Sequence, residues 1–226
     1  GGSDQWGNLT SGTDLIHKVE GKSAHILATP LITNSDGKKF GKSEGNAIWL
    51  DAEFTSPYAF YQFWLNVDDA DVVDRLKVFT FLTRAEIEEL AKQTAETPHL
   101  RAGQKRLAFE VTSLVHSEAD AHAAIAASAA LFGQGELTEL DAATLEAALS
   151  ELPNTAAAAG SPIANLLVET GLVDSISAGR RAIKEGGVYL NNRKIEDEAA
   201  VLDDFLQGKF AVLRRGKKTL AGIFKK

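Results

Sequence analysis

The stretch SISAGRRAIKEGGVYLNNRKI, residues 175–195, carries the signals for a short helix followed by a β-hairpin. Ser177 is suited to cap the helix, and the Gly186–Gly187 pair is suited to end it. The residues VYLNNRKI then predict two strands joined by a tight turn at Asn191–Asn192. This order of elements predicts a small α+β module.

The residues on either side extend that module. FAVLRRGKKTLAGIF, residues 210–224, predicts a second hairpin with a cationic turn, and Ile163, Leu166 and Leu167 indicate another short helix. NTAAAAGSP, residues 154–162, contains no large side chain to bury, so we predict a linker over residues 153–162. The module is therefore expected to span residues 163–226.

The module differs in charge from the rest of the chain. From Ser161 onward there are twelve Lys and Arg against eight Asp and Glu, a net charge of +4, whereas the whole chain carries −7 and its remainder −11. A basic module on an acidic body indicates a polyanionic partner. An ordinary solvated basic face is the alternative.

A helical domain is predicted before the linker, over residues 56–152. Ser56 can cap a helix that begins at Pro57, and Tyr58, Tyr61 and Trp64 recur at helical spacing. Thr83 and Glu86 form a capping-box pattern, and further apolar stripes follow. These stripes indicate a packed helical core.

The first 55 residues predict part of an α/β layer. The run HILATPLIT, residues 25–33, has the β-branched content of a strand that enters a loop. The fold class is therefore α/β, then α, then α+β, with domains at 1–55, 56–152 and 163–226.

Composition excludes several kinds of site. The chain has no cysteine, which rules out disulfides and thiolate ligands, and its five histidines are dispersed, so we expect no metal site. No apolar run reaches the roughly 18 residues needed to cross a membrane, and we expect a cytoplasmic protein without a membrane partner. Because the chain begins with Gly1 and lacks methionine, we also expect it to be the carboxyl-terminal part of a longer protein.

The loop DGKKFGKSEGN, residues 36–46, places three lysines and three glycines in eleven residues. A solvated turn would explain it, since Gly, Asn and Asp favour turns and lysine favours water. A phosphate-binding loop would explain it equally well, and spacing alone does not decide between the two.

Three motifs taken together are more specific. GGSDQWGN at residues 1–8, PLIT at 30–33 and KFGKS at 39–43 resemble the bacterial tyrosyl-tRNA synthetases, a family of class I aminoacyl-tRNA synthetases. The resemblance continues through IWLD, SPYAFYQFW and FTFLT and covers nearly the whole chain. It implies that residues 1–55 are the terminal part of a Rossmann-like catalytic domain and that residues 56–152 face the tRNA anticodon region.

The resemblance also implies residue roles. KFGKS corresponds to the family's mobile KMSKS loop, so Lys39, Lys42 and Ser43 would be catalytic groups that contact the ATP phosphates. Lysines brought to a departing pyrophosphate stabilise the transition state more than the ground state. Lys38 departs from the family's usual polar residue and is expected to be solvated.

The adenylate would be bound by residues from two of the motifs. Gly2 and Asp4 would meet its ribose, Gln5 would lie near the tyrosine end, and the backbone at Leu31 and Ile32 would meet adenine. Turn capping is the alternative role for Asp4. The family's HIGH-type motif and the residues that read the tyrosine hydroxyl are absent, so this fragment alone is expected to be inactive.

Residues 175–195 resemble the S-four RNA-binding domain that ends many bacterial tyrosyl enzymes. The resemblance, together with the basic charge, implies an RNA-binding surface. Its expected members are Arg180, Arg181, Lys184, Asn191, Arg193 and Lys194.

The function implied for the full-length protein is ATP-dependent attachment of tyrosine to tRNA(Tyr) through tyrosyl-adenylate. ATP is then a substrate accompanied by Mg²⁺, no cofactor is tightly bound, and the enzyme is a homodimer. The alternative is a non-catalytic RNA-binding protein that uses only its basic terminal domain. A tryptophanyl enzyme is disfavoured because it would not normally carry this tail.

Overall fold

The computed structural model describes residues 2–33, 35, 37, 40, 48–216 and 219–226. Its internal contacts divide the chain into two compact units, residues 1–48 and 49–226. This differs from the predicted division into three domains and a linker, because the helical part and the terminal module belong to one unit. Residues 49–55 also join the second unit: Trp49 N–H donates to Thr55 Oγ1 at 2.9 Å.

The first unit contains one α-helix, α1 (Trp6–Glu20), among its described residues. Gly21 ends α1 in the left-handed conformation and donates its N–H to His17 O at 3.0 Å. The strand predicted over residues 25–33 is wrong, since Thr29 makes only an isolated parallel bridge to Gly2. A strand needs a neighbour along its length, and Gly2 supplies one position.

The helical part of the second unit contains α2 (Pro57–Leu65), α3 (Asp69–Phe79), α4 (Arg84–Glu96), α5 (Ala102–Val115), α6 (Glu118–Leu131) and α7 (Ala142–Ser150). The predicted caps are confirmed. Ser56 accepts from Ala59 N–H before Pro57, and Thr83 and Glu86 form the reciprocal capping box. These caps satisfy N–H groups that have no partner inside the helix.

The core of the helical part combines large and small side chains. Leu107 of α5 and Leu145 of α7 are fully buried, whereas α6 contributes alanines: Ala121, Ala124, Ala127 and Ala130. Small side chains on one helix face let neighbouring helices approach closely. Burial raises the pKa of both Tyr58 and Tyr61 on α2, so both phenols stay neutral at pH 7.

The terminal module contains β1 (Asn154–Ala157), α8 (Ile163–Glu169), α9 (Ile176–Lys184), β2 (Val188–Leu190), β3 (Arg193–Lys194), β4 (Phe210–Arg215) and β5 (Thr219–Lys225). The strands form one sheet in the order β1-β5-β4-β2-β3, with β1 parallel to β5 and the other pairs antiparallel. Both predicted hairpins, β2–β3 and β4–β5, are confirmed. Asn191 and Asn192 have φ values of 49° and 63°, as a two-residue turn of this kind requires.

Two details of the module differ from the prediction. The segment 153–162, predicted as a linker, contains strand β1, because backbone pairing with β5 does not need large side chains. The cap of α9 is Ser175, which accepts from Ala178 N–H at 3.2 Å, and not Ser177. The earlier start lengthens α9, which packs against α8 where Gly179 meets Ala164: a Cβ on Gly179 would lie 3.1 Å from Ala164 O.

The module is joined closely to the helical part. Gly222 of β5 donates its N–H to Pro153 O at 2.9 Å, and a Cβ at this position would lie 3.0 Å from the Cβ of Leu149 on α7. Asn192 Nδ2 donates to Ala130 O at 2.7 Å, and Gln207 Nε2 donates to Leu140 O at 2.8 Å. Backbone pairing, close packing and two side-chain amides therefore fasten the two parts together.

Candidate functional site

The predicted adenylate-binding residues lie around the start of α1. Residues Ser3–Gln5 form a 3₁₀ turn that leads into the helix. Ser3 N–H donates to Thr29 O at 2.8 Å, which brings the PLIT segment beside this turn. The structure therefore brings two of the three motifs together.

Gly2 lies between Asp4 and Leu31. A Cβ at Gly2 would lie 2.9 Å from Asp4 Oδ1 and 3.1 Å from Leu31 Cδ2, so both side chains would have to shift to make room for it. Glycine therefore leaves the Asp4 and Leu31 side chains in their present positions, and it leaves the backbone open to close approach by a nucleotide. The Leu31 side chain is itself 40% exposed beside this point.

Gln5 is positioned by a residue that the sequence reasoning missed. Asn8 Nδ2 donates to Gln5 Oε1 at 2.9 Å, one helical turn further on. The spacing of three residues at the beginning of a helix was the available signal. With its oxygen engaged by Asn8, the Gln5 amide group presents its NH₂ as a donor.

The PLIT segment also meets the beginning of the KFGKS loop. Phe40 N–H donates to Ile32 O at 3.0 Å. Phe40 is the residue between Lys39 and Gly41 in the sequence. Lys39, Lys42 and Ser43 themselves lie outside the described residues.

The candidate RNA-binding surface begins on α9. Arg180, Arg181 and Lys184 are all exposed, whereas Gly179, Ala182 and Ile183 are buried against the module. Among the described residues, no side-chain hydrogen bond or ion pair engages the three basic groups. α9 therefore presents one basic face and buries the other, an arrangement suited to phosphate contacts.

Asn191, by contrast, is engaged within the module. Its Nδ2 donates to Asp204 O at 3.1 Å, and its Oδ1 accepts from Val212 N–H at 2.8 Å. Both ends of the amide therefore hold the β2–β3 turn against β4 and residue 204. This gives Asn191 a role in shaping the turn that the sequence did not reveal.

Arg193 and Lys194 are exposed but have acidic neighbours. Arg193 Nη1 lies 4.0 Å from Asp204 Oδ2, and Lys194 Nζ lies 3.5 Å from Glu196 Oε1. Surface pairs of this kind are weak and are screened by salt. Both cations can therefore exchange these carboxylates for phosphates at little cost.

Sequence reasoning also missed a stacked pair on the sheet. The Arg214 guanidinium carbon lies 4.0 Å from the centre of the Tyr189 ring, and these residues pair directly across β2 and β4. Arg215 Nη1 donates to Leu172 O at 2.7 Å. These two arginines of the β4–β5 hairpin thus have structural contacts. The turn lysines Lys217 and Lys218 lie outside the described residues.

Membrane spans and metal clusters are both absent from the described residues. No helix in this part of the chain is both long and apolar enough to span a bilayer. No group of three or more His, Cys, Asp or Glu side chains there is arranged to hold a metal ion.

Comparison with known proteins identifies the family. Residues 1–133 match the family model described as tRNA synthetases class I (W and Y). The chain belongs to this family of class I tRNA synthetases. Residues 144–222 match the model of the tyrosine–tRNA ligase SYY-like C-terminal domain. The resemblance to the tyrosyl-tRNA synthetases is therefore confirmed.

Individual relatives agree. The chain is 63% identical to a tyrosine–tRNA ligase from Leifsonia xyli subsp. xyli and 58% identical to one from Streptomyces coelicolor, in each case over 99% of its length. It covers 51% and 54% of those proteins, so it spans about half the length of the curated relatives. A C-terminally truncated mitochondrial tyrosyl-tRNA synthetase from Coccidioides posadasii aligns over 54% of this chain and 36% of its own, with 35% identity and a TM-score of 0.44.

Proposed function

We propose that the full-length protein containing this chain is a tyrosine–tRNA ligase, which joins tyrosine to tRNA(Tyr) with ATP through tyrosyl-adenylate. The observation that carries the proposal is the 63% identity to a tyrosine–tRNA ligase across nearly the whole chain. The match of residues 144–222 to a tyrosine-specific C-terminal domain favours tyrosine over tryptophan.

The turn before α1 is the proposed adenylate-binding site. Gly2, Asp4 and Leu31 meet within a few ångströms, and Gln5 is oriented by Asn8. The Asp4 carboxylate would accept hydrogen bonds from the ribose hydroxyls, as carboxylates do in other nucleotide sites. The backbone of Leu31 and Ile32 would lie along the adenine.

Lys39, Lys42 and Ser43 are the proposed catalytic groups of the activation step. In that step the tyrosine carboxylate attacks the α-phosphorus and pyrophosphate leaves, so negative charge grows on the leaving oxygens. Lysine ammonium groups would stabilise that charge, and Ser43 would donate a hydrogen bond to a phosphate oxygen. The hydrogen bond from Phe40 to Ile32 supports this arrangement, because it anchors the loop's beginning beside the proposed adenine contact.

The terminal module is the proposed tRNA-binding part, with an S-four-like fold. Arg180, Arg181 and Lys184 would contact phosphates from α9, and Arg193 and Lys194 from the β2–β3 hairpin. The exposure of these cations supports the proposal. Asn191 supports the surface through its hydrogen bonds to residue 204 and β4, and we assign it no direct contact.

Family membership is the basis for three further proposals. The full-length enzyme is a homodimer, it acts in the cytoplasm, and Mg²⁺ arrives with the phosphates of ATP. We assign Mg²⁺ no ligand among the residues of this chain.

The activation role is tested by tyrosine-dependent exchange of pyrophosphate into ATP, measured on the full-length protein. Lys39→Ala combined with Lys42→Ala should lower the exchange rate by several orders of magnitude, because each lysine acts mainly on the transition state. Lys38→Ala is the matched control in the same loop and should keep near-normal exchange. Equal rates in the double variant and the wild type would remove these lysines from catalysis.

The same measurement separates the two functions considered above. If the wild-type full-length protein binds tRNA but shows no exchange, the non-catalytic RNA-binding function replaces the ligase.

Arg180→Ala combined with Arg181→Ala tests the RNA surface. This double variant should weaken tRNA binding. It should also reduce the slope of log K against log salt concentration by about two, because each phosphate contact contributes about one to that slope.

The charge-matched control for the RNA surface is Lys209→Ala combined with Lys226→Ala. These exposed lysines of the same module lie outside the proposed surface. The control should change the slope by clearly less. Equal losses in both double variants would show that the net charge of the module, and not the α9 face, determines binding.

A further inference from the structure

The side-chain amides of Gln5 and Asn8 form a pair at the beginning of α1. Gln5 ends the 3₁₀ turn and precedes the first residue of the helix, and Asn8 is the third residue of the helix. Asn8 Nδ2 donates to Gln5 Oε1 at 2.9 Å. Both side chains are exposed, so a bound molecule can reach them. Among the described residues, neither amide has another hydrogen-bond partner.

The backbone holds this pair in place. Gln5 N–H donates to Gly2 O at 2.9 Å, and Ser3 N–H donates to Thr29 O at 2.8 Å, so the turn that carries Gln5 is itself anchored. Residues three apart in a helical turn are neighbours on its surface, which brings Asn8 beside Gln5. The turn and the helix therefore set the positions of the two side chains.

The hydrogen bond selects which end of the Gln5 amide faces outward. A glutamine amide has one acceptor oxygen and one NH₂ group, which donates. Asn8 engages the oxygen, so the NH₂ group remains for a ligand. If both amides were reversed, the oxygen would face outward instead. The group that Asn8 offers to Gln5 therefore determines whether Gln5 presents a donor or an acceptor.

A donor at this place selects an acceptor in the substrate. Tyrosine carries two charged groups next to each other: an ammonium, which only donates, and a carboxylate, which only accepts. The proposed function places Gln5 near the tyrosine end of the adenylate site. The Gln5 NH₂ group then suits the carboxylate and not the ammonium.

The orientation of that carboxylate matters for the reaction. During activation one carboxylate oxygen forms a bond to the α-phosphorus of ATP, and the bond from that phosphorus to pyrophosphate breaks. The other carboxylate oxygen can accept from Gln5 while the first one reacts. Holding a reactant in its reactive orientation lowers the barrier, and a misplacement of about 1 Å is costly.

We propose that Asn8 is a positioning residue of tyrosine activation, which turns the Gln5 NH₂ group toward the carboxylate of tyrosine. This inference rests on the ligase function proposed above and adds to it a residue that acts without touching the substrate. Because Asn8 acts through Gln5, its effect depends on the presence of Gln5.

The substitution Asn8→Asp separates positioning from stabilisation of the helix. Aspartate has nearly the same shape but only accepts, so Gln5 must turn its NH₂ group toward it and its oxygen toward the substrate. The kcat/KM for tyrosine in pyrophosphate exchange by the full-length protein should fall at least about tenfold. If Asn8 served only the helix, an acid in the first turn would serve equally well, because helix N-termini favour negative charge. An unchanged kcat/KM in Asn8→Asp therefore overturns the proposal.

The matched control uses Gln5→Ala as a second background. Asn8→Ala alone should lower kcat/KM for tyrosine about tenfold. When Gln5 is already alanine, adding Asn8→Ala should cause no further loss, because the group that Asn8 positions is gone. Asn8→Asp in the same background measures the effect of the added charge alone, which should be clearly smaller. Losses of equal size with and without Gln5 would contradict an action of Asn8 through Gln5.

Inhibition by tyramine supplies a readout that a general disturbance of the site would move. Tyramine has the phenol and the ammonium of tyrosine but lacks the carboxylate. Its inhibition constant in pyrophosphate exchange should be the same in the wild type and in Asn8→Ala, although kcat/KM for tyrosine falls. Weaker inhibition by tyramine in Asn8→Ala, matching the loss for tyrosine, would exclude the carboxylate as the group that Asn8 helps to position.

These measurements also separate the inference from the function on which it depends. If the wild-type full-length protein exchanges pyrophosphate and the Asn8 variants match it, the positioning role fails and the ligase stands. If the wild type shows no exchange, the ligase function fails, and the positioning role fails with it.

Discussion

The two compact units of the chain are stabilised in different ways. In the first unit, residues 1–48, none of the described residues is buried, and apolar side chains of α1 such as Leu15 and Val19 are largely exposed. In the second unit, residues 49–226, the helices and the sheet bury many side chains completely, and the terminal module has a hydrophobic cluster of its own. In this chain, which spans about half the length of its curated relatives, the nucleotide motifs thus lie in the unit that has no buried side chain among its described residues.

This difference in burial shows that the residues of a binding motif and the residues of a hydrophobic core can lie in different parts of a chain. Loops that bind ligands carry specific residues without needing a core of their own, provided that other elements position them. The second unit encloses the fully buried apolar side chains, and their removal from water is what stabilises its fold. We therefore expect substitutions of the same type to have different effects on stability in the two units.

The largest difference is expected for buried and exposed leucines. Leu107→Ala in α5 removes a side chain with 0% exposure and should lower the free energy of unfolding by about 2–5 kcal/mol. Leu15→Ala in α1, where the side chain is 62% exposed, should change it by less than about 0.5 kcal/mol. Urea denaturation of the 226-residue chain, followed by far-UV circular dichroism, measures both. Similar losses in the two variants would contradict the proposed contrast.

Replacing either of two helical glycines by alanine should change stability, but in opposite directions. A Cβ at Gly103 would lie 2.9 Å from Thr94 Oγ1, which donates to Leu90 O, so Gly103→Ala should destabilise by about 1–3 kcal/mol. Gly12 in α1 has open space around it, so Gly12→Ala should stabilise the helix by about 0.5–1 kcal/mol. Urea denaturation measures the first effect, and hydrogen exchange of the α1 amides measures the second. A destabilising Gly12→Ala would indicate that α1 is packed.

The smallest expected effect concerns the cap of α7. Asp141 accepts hydrogen bonds from the Thr144 N–H and hydroxyl, and these hold the pKa of its carboxyl below its ordinary value of 3.8. Asp141→Ala should cost about 1 kcal/mol at pH 7. The stabilisation by the charged carboxylate is present above the ordinary pKa and is lost as the pH falls through the lowered one.

The loss of unfolding free energy in Asp141→Ala relative to the wild type should therefore become smaller below about pH 4. Denaturation of both proteins at a series of pH values measures it. A deficit that stays constant down to pH 2 would mean that the charge of Asp141 does not stabilise the cap.

Short sequence patterns correctly predicted helix caps and a hairpin turn in the second unit. Ser56, the Thr83–Glu86 pair and the Asn191–Asn192 turn act through neighbours within a few residues, so their sequence patterns were sufficient. β1 was missed because its partner, β5, is distant in the sequence. Non-local backbone pairing leaves no periodic signal in a run of small residues such as residues 154–159.

The candidate sites were predictable to different degrees. The motif at Gly2 and Asp4 was evident, yet the packing of Leu31 against Gly2 depends on the fold and was not. The basic residues of α9 were indicated by the resemblance to the S-four domain and by the basic charge of the module. The cavity between residues 133–138 and 191–206 could not be foreseen, because only the docking of the helical part against the terminal module brings its walls together.

The parallel pairing of β1 with β5 has a consequence for synthesis on the ribosome. It joins Asn154 to Gly222, so β1 leaves the ribosome well before its partner has been made. At about 5–20 residues per second, the delay is roughly 3–14 seconds. The helical part can fold within that time, while α7 waits with Leu149 uncovered. The sheet is therefore completed only after β5 has left the ribosome.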